Sequence, residues 1–173
     1  MKQKLLCSLV VMVLSLSLHA QSLAVYLEDH SKTATNIRNA PKGKVVDRIP
    51  QGRIAMFEVE NAKNGWWRIC DNSYFCVDNN GFEGMIKLKG SRNGYWIHSS
   101  VISVSTRNYG DETLYLYQQP DENSKKVFTI YVEMQLRPLE VQGDWVKCRT
   151  STGNNVGWIQ AEWLCGNALT NCN

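Results

Sequence analysis

Side chains that commonly perform catalysis or bind metals are few in this chain and widely spaced. After the first twenty residues the only histidines are His30 and His98, and the cysteines form no C-x-x-C pair. The acidic pairs Asp111-Glu112 and Asp121-Glu122 lie among Gly, Pro and Asn residues, where charged side chains are usually solvated loop groups. No G-x-S-x-G, H-E-x-x-H or phosphate-binding glycine loop occurs. The sequence therefore predicts no catalytic site, no metal site and no cofactor.

The cysteines are better suited to disulfides than to metal binding. Cys70 and Cys76 enclose a hairpin-sized interval, and Cys165 and Cys172 enclose six residues near the C-terminus. In an oxidising compartment such close pairs are expected to form disulfides. We therefore predict Cys70–Cys76 and Cys165–Cys172 bonds and a buried, unpaired Cys148, with a Cys148–Cys165 bond as the main alternative.

Residues 1–20 have the composition of a secretory signal peptide. Lys2 and Lys4 precede an apolar run from Leu5 to Leu18, and Ala20 offers a small residue for cleavage. We expect an exported protein, periplasmic or secreted, that does not span the membrane, since no later run reaches about 18 apolar residues. Removing two lysines and no acid leaves 17 basic and 16 acidic side chains, a balance that argues against nucleic acid as a partner.

Short alternating segments bounded by turn residues predict an all-β fold. The segment from Arg53 to Glu60 alternates apolar and polar residues, and Asn79-Asn80-Gly81 is typical of a tight hairpin turn. Neither half contains a convincing helix of more than one turn. We predict two small β-barrels in tandem, over residues 21–105 and 106–173, because many short strands without helices favour small barrels. The first barrel carries an insertion at about 71–93, and the second ends in a disulfide-bonded tail.

The tandem prediction depends on an internal repeat. Gly65-Trp66-Trp67 and Gly143-Asp144-Trp145 each begin one strand, and Trp96 and Trp158 each begin another. Aligning the glycines places Trp67 with Trp145, Cys70 with Cys148, Trp96 with Trp158 and Ile102 with Leu164. The repeated tryptophans Trp67, Trp96, Trp145 and Trp158 are expected in the core.

Two tryptophans break this alignment and are the first candidates for ligand binding. Trp66 and Trp163 fall opposite Asp144 and Val101, so we predict that both are exposed and stack on sugar rings or peptides. Four tyrosines could extend such a surface: Tyr74, Tyr95, Tyr115 and Tyr117.

These segments resemble the bacterial SH3 family in tandem. The first copy supplies Asn36-Ile37-Arg38-Asn39-Ala40-Pro41, Gly65-Trp66-Trp67 and Trp96 to Ile102. The second copy supplies Pro120, Gly143-Asp144-Trp145 and Gly157 to Leu164. It departs from the family pattern at Leu116-Tyr117-Gln118, where the Asn and Arg are missing.

The resemblance implies an exported, non-catalytic binding or adaptor module that recognises peptidoglycan or short peptides at the cell envelope. The family is often attached to wall peptidases, but no catalytic Cys–His domain fits this chain. An alternative is an inhibitor or interaction subunit that binds another exported protein, for example by strand addition. A third hypothesis is a redox role for Cys148.

Overall fold

A computed structural model describes residues 22–78, 80–170 and 172, so the predicted signal peptide and Asn79 lie outside the described residues. Over this part of the chain the structure contains strands and three short 3₁₀ turns but no α-helix, which confirms the all-β prediction. The strands are β1 (Leu23–Leu27), β2 (Thr35–Arg38), β3 (Val45–Ile49), β4 (Ile54–Lys63), β5 (Trp66–Ile69), β6 (Ser73–Val77), β7 (Glu83–Lys87), β8 (Trp96–His98), β9 (Ile102–Thr106), β10 (Leu114–Tyr117), β11 (Lys126–Ile130), β12 (Gln135–Gln142), β13 (Trp145–Thr150), β14 (Val156–Gln160) and β15 (Leu164–Cys165). The 3₁₀ turns are Cys70–Asn72, Ser99–Val101 and Ala161–Trp163.

The strands form because apolar residues alternate with polar ones at the period of a pleated strand. In β4, Ala55, Phe57 and Val59 are buried while their neighbours face outward. In β10, Leu114 and Leu116 are buried while Tyr115 and Tyr117 are half-buried. One continuous apolar core receives side chains from both halves of the chain.

All fifteen strands belong to one antiparallel sheet. Its main path runs β11-β10-β14-β13-β12-β9-β1-β4-β5-β8-β2-β3, and β6, β7 and β15 pair beside this path. The pairing is an open path, so the two separate closed barrels remain a prediction.

The same pairing register occurs twice. In the first half, Ile37 pairs with Asp47 and Arg38 with Val45, with a register shift between them. In the second half, Leu116 pairs with Phe128 and Tyr117 with Lys126, again with a shift. These pairs make Leu116 equivalent to Ile37.

The register corrects the sequence alignment at the tryptophans. Trp66 pairs with His98, and Trp145 pairs with Gln160 at the corresponding position of β14. The counterpart of Trp145 is therefore Trp66, not Trp67. Both hairpin loops have two residues, but the glycine is the second loop residue before β5 (Gly65) and the first before β13 (Gly143), so aligning the glycines shifts the strands by one residue. In a strand, a slip of one residue moves a side chain to the opposite face.

Strand β9 belongs to both halves. Its first residues pair with β1, Ile102 with Leu27 and Ser103 with Tyr26. Its later residues pair with β12 and β15, Leu136 lying opposite Val104 and Cys165 opposite Ser105. The predicted boundary at 105/106 therefore falls inside a strand, and the pairing continues across it.

Side chains reinforce this junction. Trp67 is fully buried, and its Nε1 donates a hydrogen bond of 3.2 Å to the carbonyl oxygen of Pro138. The Tyr26 and Ser105 hydroxyls lie 3.0 Å apart, and Arg137 Nη1 donates to the Ser100 carbonyl oxygen. The halves are joined by polar contacts in addition to the shared core.

The predicted insertion contains an added hairpin. β6 and β7 pair with each other, and β6 also pairs with β4. In the second half β13 pairs directly with β14, and no equivalent hairpin separates them.

The structure confirms one predicted disulfide and contradicts the other. Cys165 and Cys172 are bonded, with their Cα atoms 5.5 Å apart. Cys70, Cys76 and Cys148 are free, so the Cys70–Cys76 prediction and the Cys148–Cys165 alternative are wrong. β5 and β6 follow one another along the same partner strand: Ile69 pairs with Val59, and Cys76 pairs with Ala55. Four strand positions correspond to about 13 Å, beyond the reach of a disulfide.

The free thiols differ in reactivity. Burial, reinforced by the carboxylates of Glu60, Glu58 and Asp71, raises the pKa of the half-buried Cys70 thiol to about 11. Cys76 and Cys148 are fully buried, and burial also raises the pKa of Cys148. An unreactive, buried Cys148 behaves as a small apolar side chain and gives no support to a redox role.

We predict that iodoacetamide modifies only Cys70 in the native protein. Its rate should rise about tenfold per pH unit below pH 11, because the thiolate is the nucleophile and its fraction increases toward the pKa. Mass spectrometry after labelling at several pH values measures this rate. Labelling in urea without reductant should modify three cysteines, not counting Cys7. If Cys70 and Cys76 were bonded to each other, labelling in urea without reductant would modify only Cys148 of these three.

Candidate ligand-binding groove

Three of the six predicted ligand-binding residues converge on one groove in the second half. Tyr115, Tyr117 and Trp163 line a cavity of about 190 Å³, which we call the aromatic groove. Its remaining lining residues are Thr113, Leu114, Glu122, Ile159 and Gln160.

The alternation of β10 places both tyrosines on this wall. Leu114 and Leu116 face the core, so Tyr115 and Tyr117 project together on the other face. Their ring centroids are 6.2 Å apart with planes inclined by 65°. Tyr117 also meets Trp145 edge-on, with centroids 5.6 Å apart and planes at 90°. Such edge-to-face contacts are favourable for aromatic pairs and fix the ring orientation.

Trp163 is positioned by a 3₁₀ turn whose backbone is bonded to neighbouring segments. The amide of Arg107 donates to the Trp163 carbonyl oxygen at 2.9 Å, and the amide of Ala161 donates to the Asp144 carbonyl oxygen at 2.8 Å. Arg107 Nη1 donates to the carbonyl oxygen of Glu162 at 3.3 Å. The Trp163 ring is half-buried, as a ligand-contacting aromatic requires.

One charged side chain rests on this aromatic surface. The ammonium nitrogen of Lys126 lies 3.4 Å from the centroid of the Tyr115 ring. Tyr117 pairs with Lys126 across the two strands, which brings the lysine to the edge of the groove.

Trp66 does not form an exposed binding surface, contrary to the sequence prediction. Only 9% of the residue is exposed. Its ring meets the His98 ring edge-on at 4.8 Å, and the Arg38 guanidinium carbon lies 5.7 Å from its centroid. Burial lowers the pKa of His98. Because its counterpart is Trp145 rather than Asp144, the reason for expecting exposure no longer holds.

Tyr74 and Tyr95 also belong to the core, with 4% and 1% of each residue exposed. Tyr74 packs against Phe57 with ring centroids 5.3 Å apart, and burial raises its pKa to about 12. The Tyr95 hydroxyl accepts a hydrogen bond of 3.1 Å from the Ser91 amide. Both residues are therefore buried rather than exposed, and neither lines the aromatic groove.

The expected core tryptophans divide into two pairs. Trp67 and Trp158 are buried, whereas Trp96 and Trp145 are half-buried. Glu122 and Gln160 were not among the predicted ligand contacts. The sequence indicated Glu122 only as a solvated loop carboxylate, and Gln160 ends β14, two residues after Trp158.

Two cavities that are larger than the aromatic groove flank the disulfide-bonded tail. A cavity of about 380 Å³ lies between β1, Arg53 and Leu169, and one of about 320 Å³ is lined by Cys70, Tyr74 and Met85. Asn167 lines both. No group of three or more His, Cys, Asp or Glu residues in the described part of the chain could hold a metal ion. Within the same residues, no helix has the length and apolar character needed to cross a membrane.

The aromatic groove lies within a segment that has a recognised family. Residues 112–164 match the bacterial SH3 domain. The match covers every lining residue of the groove and extends from the start of β10 to β15. The first half of the chain lies outside it.

Other comparisons are weaker. Two solved structures from Trichomonas vaginalis align with the chain, NlpC2 at 9% identity and NlpC1 at 10%, each with a TM-score of 0.31. The alignments cover 90% and 91% of this chain but 52% and 51% of those proteins, so the chain spans about half their length. No curated protein matches the chain.

Proposed function

We propose that this protein is an exported, non-catalytic binding module of two SH3-like units that recognises peptidoglycan or short wall-derived peptides. The aromatic groove of the second unit is the proposed binding site. The observation that carries this proposal is the convergence of Tyr115, Tyr117 and Trp163 on one concave surface inside the bacterial SH3 segment. Concave sites with aromatic walls and a few polar groups are typical ligand pockets.

The polar groups of the groove support the same function. Glu122, Gln160 and Thr113 stand beside the rings and can bind amide, hydroxyl or amino groups. Aromatic faces contribute apolar contact area, while such polar groups orient the ligand.

Co-sedimentation with purified peptidoglycan sacculi tests the proposal. We expect the purified protein to pellet with sacculi and the Tyr117→Ala/Trp163→Ala double variant to bind at least about tenfold more weakly, because aromatic anchors dominate such contacts. Tyr131→Ala is the matched control, since Tyr131 is 73% exposed and lies outside the groove. Equal binding by folded double variant and wild type would place the site elsewhere, and no pelleting of the wild type would reject wall binding.

A second candidate function is binding to another exported protein. The insertion hairpin favours it: Met85 and Phe82 are 63% and 46% exposed, and within the described residues β7 pairs only with β6. An edge strand with exposed apolar residues can pair with a strand of another chain. Pull-down from envelope extract compares the wild-type protein with the Met85→Asp variant. The variant should lose the partner protein, and this loss distinguishes protein binding from wall binding.

A further inference from the structure

The two halves differ at the positions that form the aromatic groove. Arg38 pairs with Trp96 as Tyr117 pairs with Trp158, so Arg38 occupies the position of Tyr117. By the same register Asn36 corresponds to Tyr115. Val101 ends one 3₁₀ turn as Trp163 ends the other. The first half therefore lacks all three aromatic side chains of the groove.

In the first half a guanidinium group of the chain itself covers Trp66, the counterpart of Trp145. The Arg38 guanidinium carbon lies 5.7 Å from the Trp66 ring centroid, and its Nη1 donates to the Gly43 carbonyl oxygen at 2.7 Å. In the second half the corresponding contact is between the Tyr117 and Trp145 rings. An internal guanidinium is thus replaced by a ring that borders an open groove.

The charge of the groove complements a cation. Glu122 is the one lining residue with a formal charge at neutral pH. Among the ion pairs of the described residues, none involves the Glu122 carboxylate. A carboxylate beside three aromatic rings has the composition of sites that bind ammonium groups, where ring faces and a counter-ion both attract the cation.

Lys126 shows that this surface accepts an ammonium group. Its Nζ lies 3.4 Å from the Tyr115 centroid, well within the range of a cation–π contact. Lys126 is exposed and is not one of the groove-lining residues. The cavity of about 190 Å³ thus lies beside an internal example of the same interaction.

We infer that the aromatic groove recognises a primary ammonium group of its ligand, held by the faces of Tyr115, Tyr117 and Trp163 with Glu122 as counter-ion. This inference rests on the proposed function and specifies the ligand chemistry. Two components of a wall can supply the group: the side-chain amine of a peptide or the amine of a deacetylated amino sugar.

The first test compares untreated sacculi with sacculi whose amines have been acetylated by acetic anhydride. We expect acetylation to weaken wild-type binding about tenfold, and Glu122→Gln to weaken binding to untreated sacculi by a similar factor. Glu83→Gln is the matched control, because Glu83 is an exposed carboxylate on β7, outside the groove. Lys126→Met should strengthen binding, since it removes a like charge beside Tyr115.

The second test uses soluble probes and separates failure of this inference from failure of wall binding. Calorimetry compares an N-terminally acetylated, lysine-containing tripeptide with the same peptide acetylated also at Nε, and a glucosamine oligomer with its N-acetylated form. Binding of either amine that is lost on acetylation and in Glu122→Gln supports the inference, even if sacculi do not pellet, and the probe that binds identifies the source. Equal binding of amine and acetylated forms, or no binding of either amine, overturns it.

Discussion

Replacing Trp67 with alanine is expected to remove about 3–5 kcal/mol of the free energy of unfolding, the usual cost of deleting a buried aromatic side chain. Trp67 is fully buried in the core and donates to the Pro138 carbonyl oxygen across the junction of the two halves. Because a domain is stabilised by only about 5–15 kcal/mol, this loss is a large share of the total. Urea denaturation followed by circular dichroism measures it.

Trp67→Phe separates the hydrogen bond from the packing. Phenylalanine keeps much of the apolar volume but cannot donate to Pro138, which leaves a buried carbonyl group without this partner at a cost of about 1–3 kcal/mol. We expect the phenylalanine variant to lie between wild type and the alanine variant. A Trp67→Ala protein within 1 kcal/mol of wild type would contradict the assigned burial, taking ~1 kcal/mol as an ordinary single-substitution effect.

Gly166→Ala is expected to destabilise the protein by about 1–3 kcal/mol through overpacking. Gly166 follows β15 and crosses β1, where an added Cβ would overlap the carbonyl carbon and oxygen of Ala24 and lie 2.6 Å from its Cβ. Backbone atoms cannot rotate away as a flexible side chain can, so the disulfide-bonded tail must move from β1. Thermal unfolding measures the loss of stability, and hydrogen exchange of the β1 amides measures the displacement of the tail from β1.

Gly153→Ala is the control for this substitution. Gly153 lies in an exposed turn, and an added Cβ would lie 3.2 Å from the buried Thr150 hydroxyl oxygen and 3.5 Å from Asn155 Nδ2, both side-chain rather than backbone atoms. We expect the thermal unfolding midpoint of Gly153→Ala to be close to that of the wild-type protein. If Gly166→Ala unfolds at the same temperature as Gly153→Ala, the tail does not pack closely on β1.

The aromatic residues show what sequence reasoning can and cannot supply. Alternation in β10 is a local property, and it separates the buried Leu114 and Leu116 from the groove-facing Tyr115 and Tyr117. Trp163 lines the groove but is half-buried rather than exposed, and its contact with a ligand stays a prediction. For Trp66 the outcome depended on which position of a two-residue hairpin loop the glycine occupies, which an alignment anchored on glycine could not resolve.

Other errors arose from long-range pairing. The sequence around Cys70 and Cys76 suits a hairpin, but β5 and β6 share β4 as a partner and run end to end along it. Tyr74 and Tyr95 carry polar hydroxyls and flank turn residues, yet both are buried by strands distant in sequence. The Cys165–Cys172 pair was predictable because both cysteines belong to one short loop.

Strand β9 also determines how the protein could bind a ligand with several attachment points. When flexible linkers join two binding modules, linker length sets the effective concentration of the second module. Here β9 pairs with β1 and with β12, so the connection between the halves is itself part of the sheet. A second attachment on the first half would add avidity only for ligands whose groups repeat at the fixed spacing between the halves, which makes the molecule selective for ligand periodicity rather than ligand density.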